Sequence, residues 1–255
     1  MSLDLFNIKG KTAIVTGASK GIGKGLALAL ASAGANLVLV GRNEGLLREV
    51  AHQTDKLGVK VIFVKTDITK EKEILFAVEK SLKEFSKIDI LVNCAGVMIR
   101  GSVEDITESD WDTLFSINLK GTFLFSKAVG KIMINQKKGK IINISSLSSV
   151  VGGENIPAYS SSKGGVAQLT KAMAVGWAKH NINVNAIGPG FFKTNMTKDL
   201  FNDLKIKEKI LNRIPMRRWG DPMKDLSGAV IFLSSSASDY ITGQTIFVDG
   251  GYLIN

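Results

Sequence analysis

The chain has 255 residues, of which 45% are hydrophobic, a composition typical of a globular protein with a large core. Its 33 Lys and Arg against 23 Asp and Glu give a formal net charge of +10, but these cations are scattered and do not interleave with aromatic residues. This distribution argues against a nucleic-acid partner and favours an anionic small molecule. A single cysteine, no signal-peptide pattern and no apolar run of bilayer length predict a cytoplasmic protein without membrane contact.

Short apolar runs alternate with amphipathic stretches along the whole chain. Strands are predicted at Thr12–Thr16, Asn36–Val40, Val59–Val64, Ile88–Val92, Lys140–Ile144, Ile182–Ala186 and Thr245–Asp249. Helices are predicted at Gly23–Ala33, Glu44–Leu57, Lys70–Phe85, Glu108–Ile134, Ala158–Lys179, Asp199–Asn212 and Leu226–Leu233. The pattern predicts an α/β fold with a doubly wound parallel sheet of about seven strands and helices on both faces. No linker or repeat interrupts it, so residues 1–255 form one predicted domain.

The first strand runs directly into a glycine-rich turn, Thr16-Gly-Ala-Ser-Lys-Gly-Ile-Gly23, and a helix follows. Glycines let the backbone approach a pyrophosphate, and the free N–H groups at the helix start bind its oxygens. A tight strand-to-helix turn without a ligand is the alternative reading. The position after the first strand of an alternating α/β chain favours the dinucleotide site.

Several further motifs follow in a fixed order. They are Asp67 after the third strand, Asn93-Cys-Ala-Gly96 after the fourth, Asn118, Ser145-Ser146, Tyr159-Ser-Ser-Ser-Lys163 and Pro189-Gly190. Together with the spacing of the glycines, this set resembles the short-chain dehydrogenase/reductase family over nearly the whole chain. The resemblance implies a Rossmann-type fold and hydride transfer between a nicotinamide cofactor and a carbonyl/alcohol pair.

The resemblance also implies which residues bind the cofactor. They are Gly17, Ser19, Lys20, Gly21, Ile22, Gly23, Arg42, Asp67, Ile68, Asn93, Ala95, Gly96, Tyr159, Lys163, Pro189, Gly190, Phe192 and Thr194. Within this set, Asp67 would bind the adenine amino group, and Asn93, Ala95 and Gly96 would line the ribose and nicotinamide. The chain departs from the family at Cys94, where a second Asn is usual.

The end of the second strand bears on the choice between NADP(H) and NAD(H). An acidic residue there would bind the 2′-hydroxyl of NAD and repel a 2′-phosphate. The chain has Gly41 and Arg42 instead, with no acid before Glu44. Arg42 could bind a phosphate bidentately, and Lys20 matches a second basic residue of NADPH-using family members. We therefore expect NADP(H) to be preferred over NAD(H).

Tyr159 and Lys163 are four residues apart in a predicted helix and so share one face. A nearby ammonium is expected to lower the pKa of Tyr159 and make it an acid-base catalyst. Ser146 stands thirteen positions before Tyr159, as the family serine does, whereas Ser145 should point to the opposite face of its strand. Asn118 resembles the family residue whose carbonyl holds a relay water. These four residues, Asn118, Ser146, Tyr159 and Lys163, are the predicted catalytic set.

A last set of segments bears on the substrate. Four segments starting at Trp177, Phe192, Arg213 and Phe247 resemble the gluconate 5-dehydrogenase and 2-deoxy-3-ketogluconate dehydrogenase branch, which implies a sugar acid. Arg100 would then pair with the substrate carboxylate, beside Ser146 and Tyr159.

The resemblance also implies a lid at about residues 191–220 and a homotetramer. Two other functions stay open: a 3-oxoacyl-carrier-protein reductase, whose acidic carrier would suit the basic surface, and a catalytically silent cofactor-binding protein. His52, His180 and Cys94 form no ligand cluster in the sequence, so no metal is expected.

Overall fold

The computed structural model describes residues 3–255 and contains one seven-stranded sheet. Its strands are β1 (Thr12–Thr16), β2 (Asn36–Gly41), β3 (Val61–Lys65), β4 (Ile90–Asn93), β5 (Gly139–Ile144), β6 (Ile182–Pro189) and β7 (Thr245–Val248). All neighbouring strands pair in parallel, in the order β3-β2-β1-β4-β5-β6-β7. The predicted doubly wound, single-domain fold is confirmed. Residues 1 and 2, which the predicted domain range includes, lie outside the described part.

The helices also follow the predicted order. They are α1 (Gly21–Ser32), α2 (Glu44–Asp55), α3 (Glu71–Phe85), α4 (Glu108–Leu114), α5 (Thr122–Gln136), α6 (Pro157–Trp177), α7 (Lys198–Asn202), α8 (Leu204–Arg213) and α9 (Lys224–Ser234). None of the described helices is long and apolar enough to cross a membrane.

Two predicted helices were wrong in detail. The stretch predicted as one helix, Glu108–Ile134, contains a π-helical segment, Phe115–Gly121, between α4 and α5. Such an extra residue per turn leaves the apolar periodicity nearly unchanged, so the pattern does not reveal it. The helix predicted at Asp199–Asn212 is interrupted at Asp203, whose carboxylate accepts a hydrogen bond from the N–H of Ile206 at 3.0 Å and caps a new helix.

The core consists of two apolar layers, one on each face of the sheet. Helices α1, α2 and α9 cover one face, and α3, α5 and α6 cover the other. Strand β1 shows why both layers are needed, since Ala13 and Val15 face one and Ile14 faces the other. All five residues of this strand are buried, as expected for a parallel sheet covered on both sides.

The chain reverses its direction of progress across the sheet between β1 and β4, where doubly wound folds form their ligand crevice. The backbones meet closely there: a Cβ on Gly17, whose φ is +67°, would lie 2.8 Å from the Cα of Ala95. The buried hydroxyl of Thr16 accepts hydrogen bonds from the N–H groups of Cys94 (3.0 Å) and Ala95 (3.1 Å). The two segments that follow β1 and β4 are thereby held together.

Candidate active site

A cavity of about 640 Å³ opens at this edge of the sheet. Most predicted site residues line it, from the glycine-rich turn through the Ser146–Tyr159–Lys163 group to the segment after β6. The lining set comprises Gly17, Ser19, Lys20, Gly21, Ile22, Gly23, Arg42, Asp67, Ile68, Ala95, Gly96, Arg100, Ser146, Tyr159, Lys163, Pro189, Gly190, Phe192 and Thr194. Asn93 and Asn118 do not line it.

The glycine-rich turn has the geometry of a phosphate cradle. Helix α1 begins at Gly21, and no side chain caps its first N–H groups. Gly21 has a φ of +57°, and a Cβ on Gly23 would collide with the carbonyl oxygen of Gly17. Because the turn is this tight, the helix start faces the cavity with unsatisfied donors and a positive dipole end. These features fit a pyrophosphate group.

Two cations are available at the end of the cavity that contains the glycine-rich turn and the residues after β2. Arg42 and Lys20 are exposed at its edge, and neither forms an ion pair among the described residues. Glu44, the first acid after β2, pairs with Arg48 at 3.3 Å instead of with Arg42. No carboxylate of the described residues therefore forms an ion pair with Arg42.

Asp67 lies at the same end and carries a stabilised negative charge. Its carboxylate accepts hydrogen bonds from the backbone N–H and the hydroxyl of Thr69, at 3.0 and 2.8 Å. The backbone hydrogen bond is the largest cause that holds the pKa of Asp67 below its ordinary value, and the charge of Arg42 adds to it. The carboxylate can thus accept a hydrogen bond from a ligand amino group.

Asn93, which was predicted to line the ribose and nicotinamide, is not among the residues that line the cavity. Its side chain is buried behind the cavity wall, where its amide nitrogen donates to Ser126 Oγ (2.8 Å) and Asn143 Oδ1 (2.9 Å). Residue 94, the next in the chain, lines the cavity instead, because neighbouring residues at a strand end point in opposite directions.

Cys94 is not a nucleophile in this cavity, since burial raises the pKa of its thiol to about 12. Within residues 3–255, no group of His, Cys, Asp and Glu is arranged to hold a metal ion.

Asn118 lies in the π-helical segment and is almost fully buried. Its amide oxygen accepts from the N–H of Val97 (2.9 Å), and its nitrogen donates to the Val97 carbonyl (3.0 Å) and to Ser162 Oγ (3.1 Å). The side chain therefore ties the loop after β4 to helix α6. Its backbone carbonyl accepts the hydroxyl of Thr122 at 2.8 Å.

Helix α6 places Tyr159 and Lys163 one turn apart, both buried at the floor of the cavity. The Lys163 ammonium lies 5.8 Å from the centre of the Tyr159 ring and donates to the carbonyl of Ile144 at 2.7 Å. Ser146 hydrogen-bonds to Tyr159, whereas the hydroxyl of Ser145 donates to the carbonyl of Lys163 at 3.2 Å. Ser146 and Tyr159 are thus the pair of hydroxyls presented to a ligand.

The expectation that Lys163 lowers the pKa of Tyr159 was wrong for this state. Burial is the largest influence and raises the pKa of Tyr159, while the Ser146 hydrogen bond and the Arg100 charge lower it by less. Burial also lowers the pKa of Lys163 to about 8. The phenol of Tyr159 is therefore protonated at neutral pH. The Lys163 ammonium, with a pKa of about 8, begins to lose its proton just above neutral pH.

Lys163→Met should stabilise the protein at pH 7, because it removes a buried charge. The difference between about 8 and the ordinary pKa of 10.5 corresponds to at most about 3 kcal/mol, less the lost hydrogen bond to Ile144. The unfolded chain binds more protons between those two values, so wild-type stability rises with pH across this window. The advantage of the variant should therefore be largest below pH 8 and shrink towards pH 10.5. Urea unfolding of the wild type and the variant at pH 7 and near pH 10.5 measures this difference in stability.

Lys171→Met, on the exposed side of α6, is the matched control and should show no such pH-dependent gain. Equal stability of the Lys163 variant and the wild type at pH 7 would contradict the assigned burial cost.

The far end of the cavity contains residues that the sequence reasoning missed. Arg213 and Tyr252 line the same cavity as Arg100. Arg213 begins one of the segments that resemble the sugar-acid branch, and Tyr252 directly follows another, but neither segment indicated that these side chains line the site.

A nicotinamide-dependent oxidoreductase is the class of protein that this fold and cavity define. Residues 17–253 match a family model described as "Enoyl-(Acyl carrier protein) reductase". The chain belongs to the short-chain dehydrogenase/reductase family.

Its relatives include sugar-acid enzymes that match over the full length. It is 46% identical to 2-dehydro-3-deoxy-D-gluconate 5-dehydrogenase of Escherichia coli, with 99% of each chain covered. It is 41% identical to 5-keto-D-gluconate 5-reductase of the same species, with 98% of each covered. The crystal structure of a gluconate 5-dehydrogenase from Burkholderia cenocepacia, in complex with NADP and tartrate, superimposes with a TM-score of 0.96 at 37% identity over 100% of both chains.

Proposed function

We propose that the protein is an NADPH-dependent reductase/dehydrogenase acting on the C5 carbonyl or hydroxyl of a gluconate-type sugar acid. The observation that carries this proposal is the buried Ser146–Tyr159 hydroxyl pair in a cavity that joins a phosphate cradle to a cationic far end. The relatives support it, since their names place the reaction at position 5 of a gluconate-type acid.

In the proposed mechanism, bound nicotinamide supplies or accepts the hydride. Ser146 donates a hydrogen bond to the substrate oxygen, where negative charge develops during reduction. Tyr159 transfers its phenolic proton to that oxygen, and its raised pKa keeps the proton available at neutral pH. Lys163 returns a proton to the site, and Asn118 completes the set by fixing the loop after β4 against α6.

Arg42→Leu should reduce kcat/KM with NADPH about 10- to 100-fold and change it less than about threefold with NADH. The reason is that the proposed partner of Arg42 is the 2′-phosphate, which only NADPH carries. Steady-state kinetics with both cofactors measure the difference.

Arg48→Leu is the matched control, since Arg48 is exposed one turn into α2, pairs with Glu44 and does not line the cavity. It should leave both cofactors unchanged. An equal loss with NADPH and NADH in the Arg42 variant would contradict the phosphate assignment.

Arg100 is the proposed carboxylate partner on the Tyr159 side of the cavity. It is exposed, and its positive charge partly offsets the burial that raises the pKa of Tyr159. The loop that carries it is tied down by a hydrogen bond from the N–H of Gly101 to the carbonyl of Asn155, at 3.0 Å. Residues 191–220, which include α7 and α8, are the proposed lid over this end.

The test of the proposed function is a panel that follows NADPH oxidation with 5-keto-D-gluconate, a 3-oxoacyl thioester and a ketosteroid. The proposal expects turnover of the sugar acid above the other two. Turnover of the thioester without the sugar acid would support a carrier-protein reductase, which the basic surface would suit. Binding of NADPH without turnover of any substrate would support a silent cofactor-binding protein.

A homotetramer in the cytoplasm is part of the proposal. The outer faces of α5 and α6 present Phe123 and Val175, which are 44% and 84% exposed in the single chain and would be covered in an assembly. Light scattering at micromolar concentration should give four times the chain mass of 27.4 kDa. A monomeric mass would contradict the assembly.

A further inference from the structure

The far end of the cavity is bounded by two cations that approach from different sides. Tyr159 packs with the loop residues Val97, Met98 and Ile99, and Arg100 follows them directly. On the other side, Leu147, which follows Ser146, packs with Ile214 and Tyr252 beside Arg213. Both arginines line the cavity that holds the two hydroxyls, Arg100 next to the cluster that contains Tyr159 and Arg213 next to the cluster that contains Leu147.

Arg213 lies within the proposed lid, at the point where α8 ends and the chain packs on Tyr252. It is the last residue of α8, and its guanidinium lies 4.4 Å from the centre of the Tyr252 ring. That ring is buried and packs against Phe191, with 5.2 Å between ring centres. The next residue, Ile214, is also buried, and a Cβ on Gly250 would lie only 2.9 Å from it. The guanidinium is thus positioned by packing before any ligand arrives.

The charge of Arg213 is not neutralised within the described part of the chain. No carboxylate there lies within ion-pair distance of it, although two neighbouring arginines are engaged. Arg218 binds Asp225 bidentately, with both distances 2.7 Å, and Arg217 donates to Asn212 at 2.8 Å. Stacking on Tyr252 uses the face of the Arg213 guanidinium and leaves its N–H edge for an anion.

We propose that Arg213 binds the substrate carboxylate together with Arg100, and so determines the preference for an acid over a neutral ketone. The inference rests on the proposed function, because it assumes a gluconate-type acid. Arg100 lies next to the cluster that contains Tyr159, and Arg213 next to the cluster that contains Leu147. A carboxylate several bonds from the reacting carbon can be shared by both when the lid covers the cavity.

The test compares Arg213→Gln with Arg48→Gln on two substrates, 5-keto-D-gluconate and its neutral amide, 5-keto-D-gluconamide. Arg213→Gln should lower kcat/KM for the acid about 10- to 100-fold, mainly through KM, because a charge-assisted hydrogen bond is lost. The amide, which has no carboxylate, should change less than about threefold. Arg48→Gln, which replaces an exposed arginine outside this cavity and outside the proposed lid, should change neither substrate.

Chemical rescue adds a readout that a packing role would not produce. Guanidinium ion added to Arg213→Ala should restore turnover of the acid and leave turnover of the amide unchanged. An equal loss on both substrates, or no loss on either, would overturn the inference while the wild type still reduces 5-keto-D-gluconate. If the wild type fails on that substrate, the proposed function fails and the inference fails with it.

Discussion

Tyr159→Phe should lower kcat about 10²- to 10⁴-fold in both directions, the range that a positioned acid-base group contributes. The substitution removes one hydroxyl and keeps the ring, which packs in an apolar cluster with Leu114 and Ala158. NADPH affinity should therefore change less than about twofold, because the loss is confined to proton transfer. Single-turnover kinetics and fluorescence titration of NADPH separate the two quantities.

Tyr252→Phe is the matched control for this change. Tyr252 is equally buried and lines the same cavity, and the phenylalanine ring still supports Arg213. Its kcat should stay close to wild type. A loss below about tenfold in Tyr159→Phe would contradict its role as the proton donor.

The strands could be predicted because the central ones, such as β1, β4 and β5, are buried on both faces. A continuous apolar run such as Ile14–Val15 within β1, or Leu37–Val40 within β2, has few alternatives in an alternating chain. The two helix errors share a cause, which is that apolar periodicity reports burial and not backbone geometry. The π-helical segment Phe115–Gly121 still buries Asn118 and Gly121, and the short helices on either side of Asp203 have no buried residue, so the apolar pattern reveals neither feature.

The candidate site also contains some residues that the sequence could place and others that it could not. Residues in tight motifs, such as Gly17 and Tyr159, could be placed because their chemistry and spacing are local. Thr16 was missed, although it directly precedes Gly17, because its role is to accept hydrogen bonds from a segment 78 residues away. Arg213 was missed because its value as an anion-binding group depends on Tyr252, which the fold alone brings beneath it.

The pKa of Tyr159 illustrates a further limit. The spacing of Tyr159 and Lys163 places them on one helix face, and a cation beside a phenol favours the phenolate. Whether that influence prevails depends on how deeply both groups are buried, which the sequence does not state. In the structure burial dominates at each group, so Tyr159 stays protonated and Lys163 becomes easier to deprotonate. A protonated Tyr159 suits reduction, the direction in which it must donate.

Ser145 and Ser146 are adjacent in the chain after β5, and replacing each in turn tests which of the two hydroxyls serves the reacting oxygen. The side chain of Ser146 hydrogen-bonds to Tyr159 and accepts from the N–H of Ser148 at 3.1 Å. The hydroxyl of Ser145 instead donates to the backbone carbonyl of Lys163, and its N–H donates to Ile187 at 2.8 Å. One hydroxyl is therefore presented to the reacting oxygen, and the other fastens helix α6 to the sheet.

Ser146→Ala should therefore lower kcat/KM about 10²- to 10³-fold, the cost of removing one donor to a developing oxyanion. Ser145→Ala should lower it less than about tenfold and cost about 1 kcal/mol of stability, since one buried hydrogen bond is lost. Steady-state kinetics and urea unfolding of both variants separate the effects, because catalysis should suffer in one and stability in the other. If Ser145→Ala were the variant that lost activity, the assignment of Ser146 to the substrate oxygen would be wrong. The contribution of Lys163 to catalysis would then depend more on its position on α6, which the Ser145 hydrogen bond holds, than on its charge.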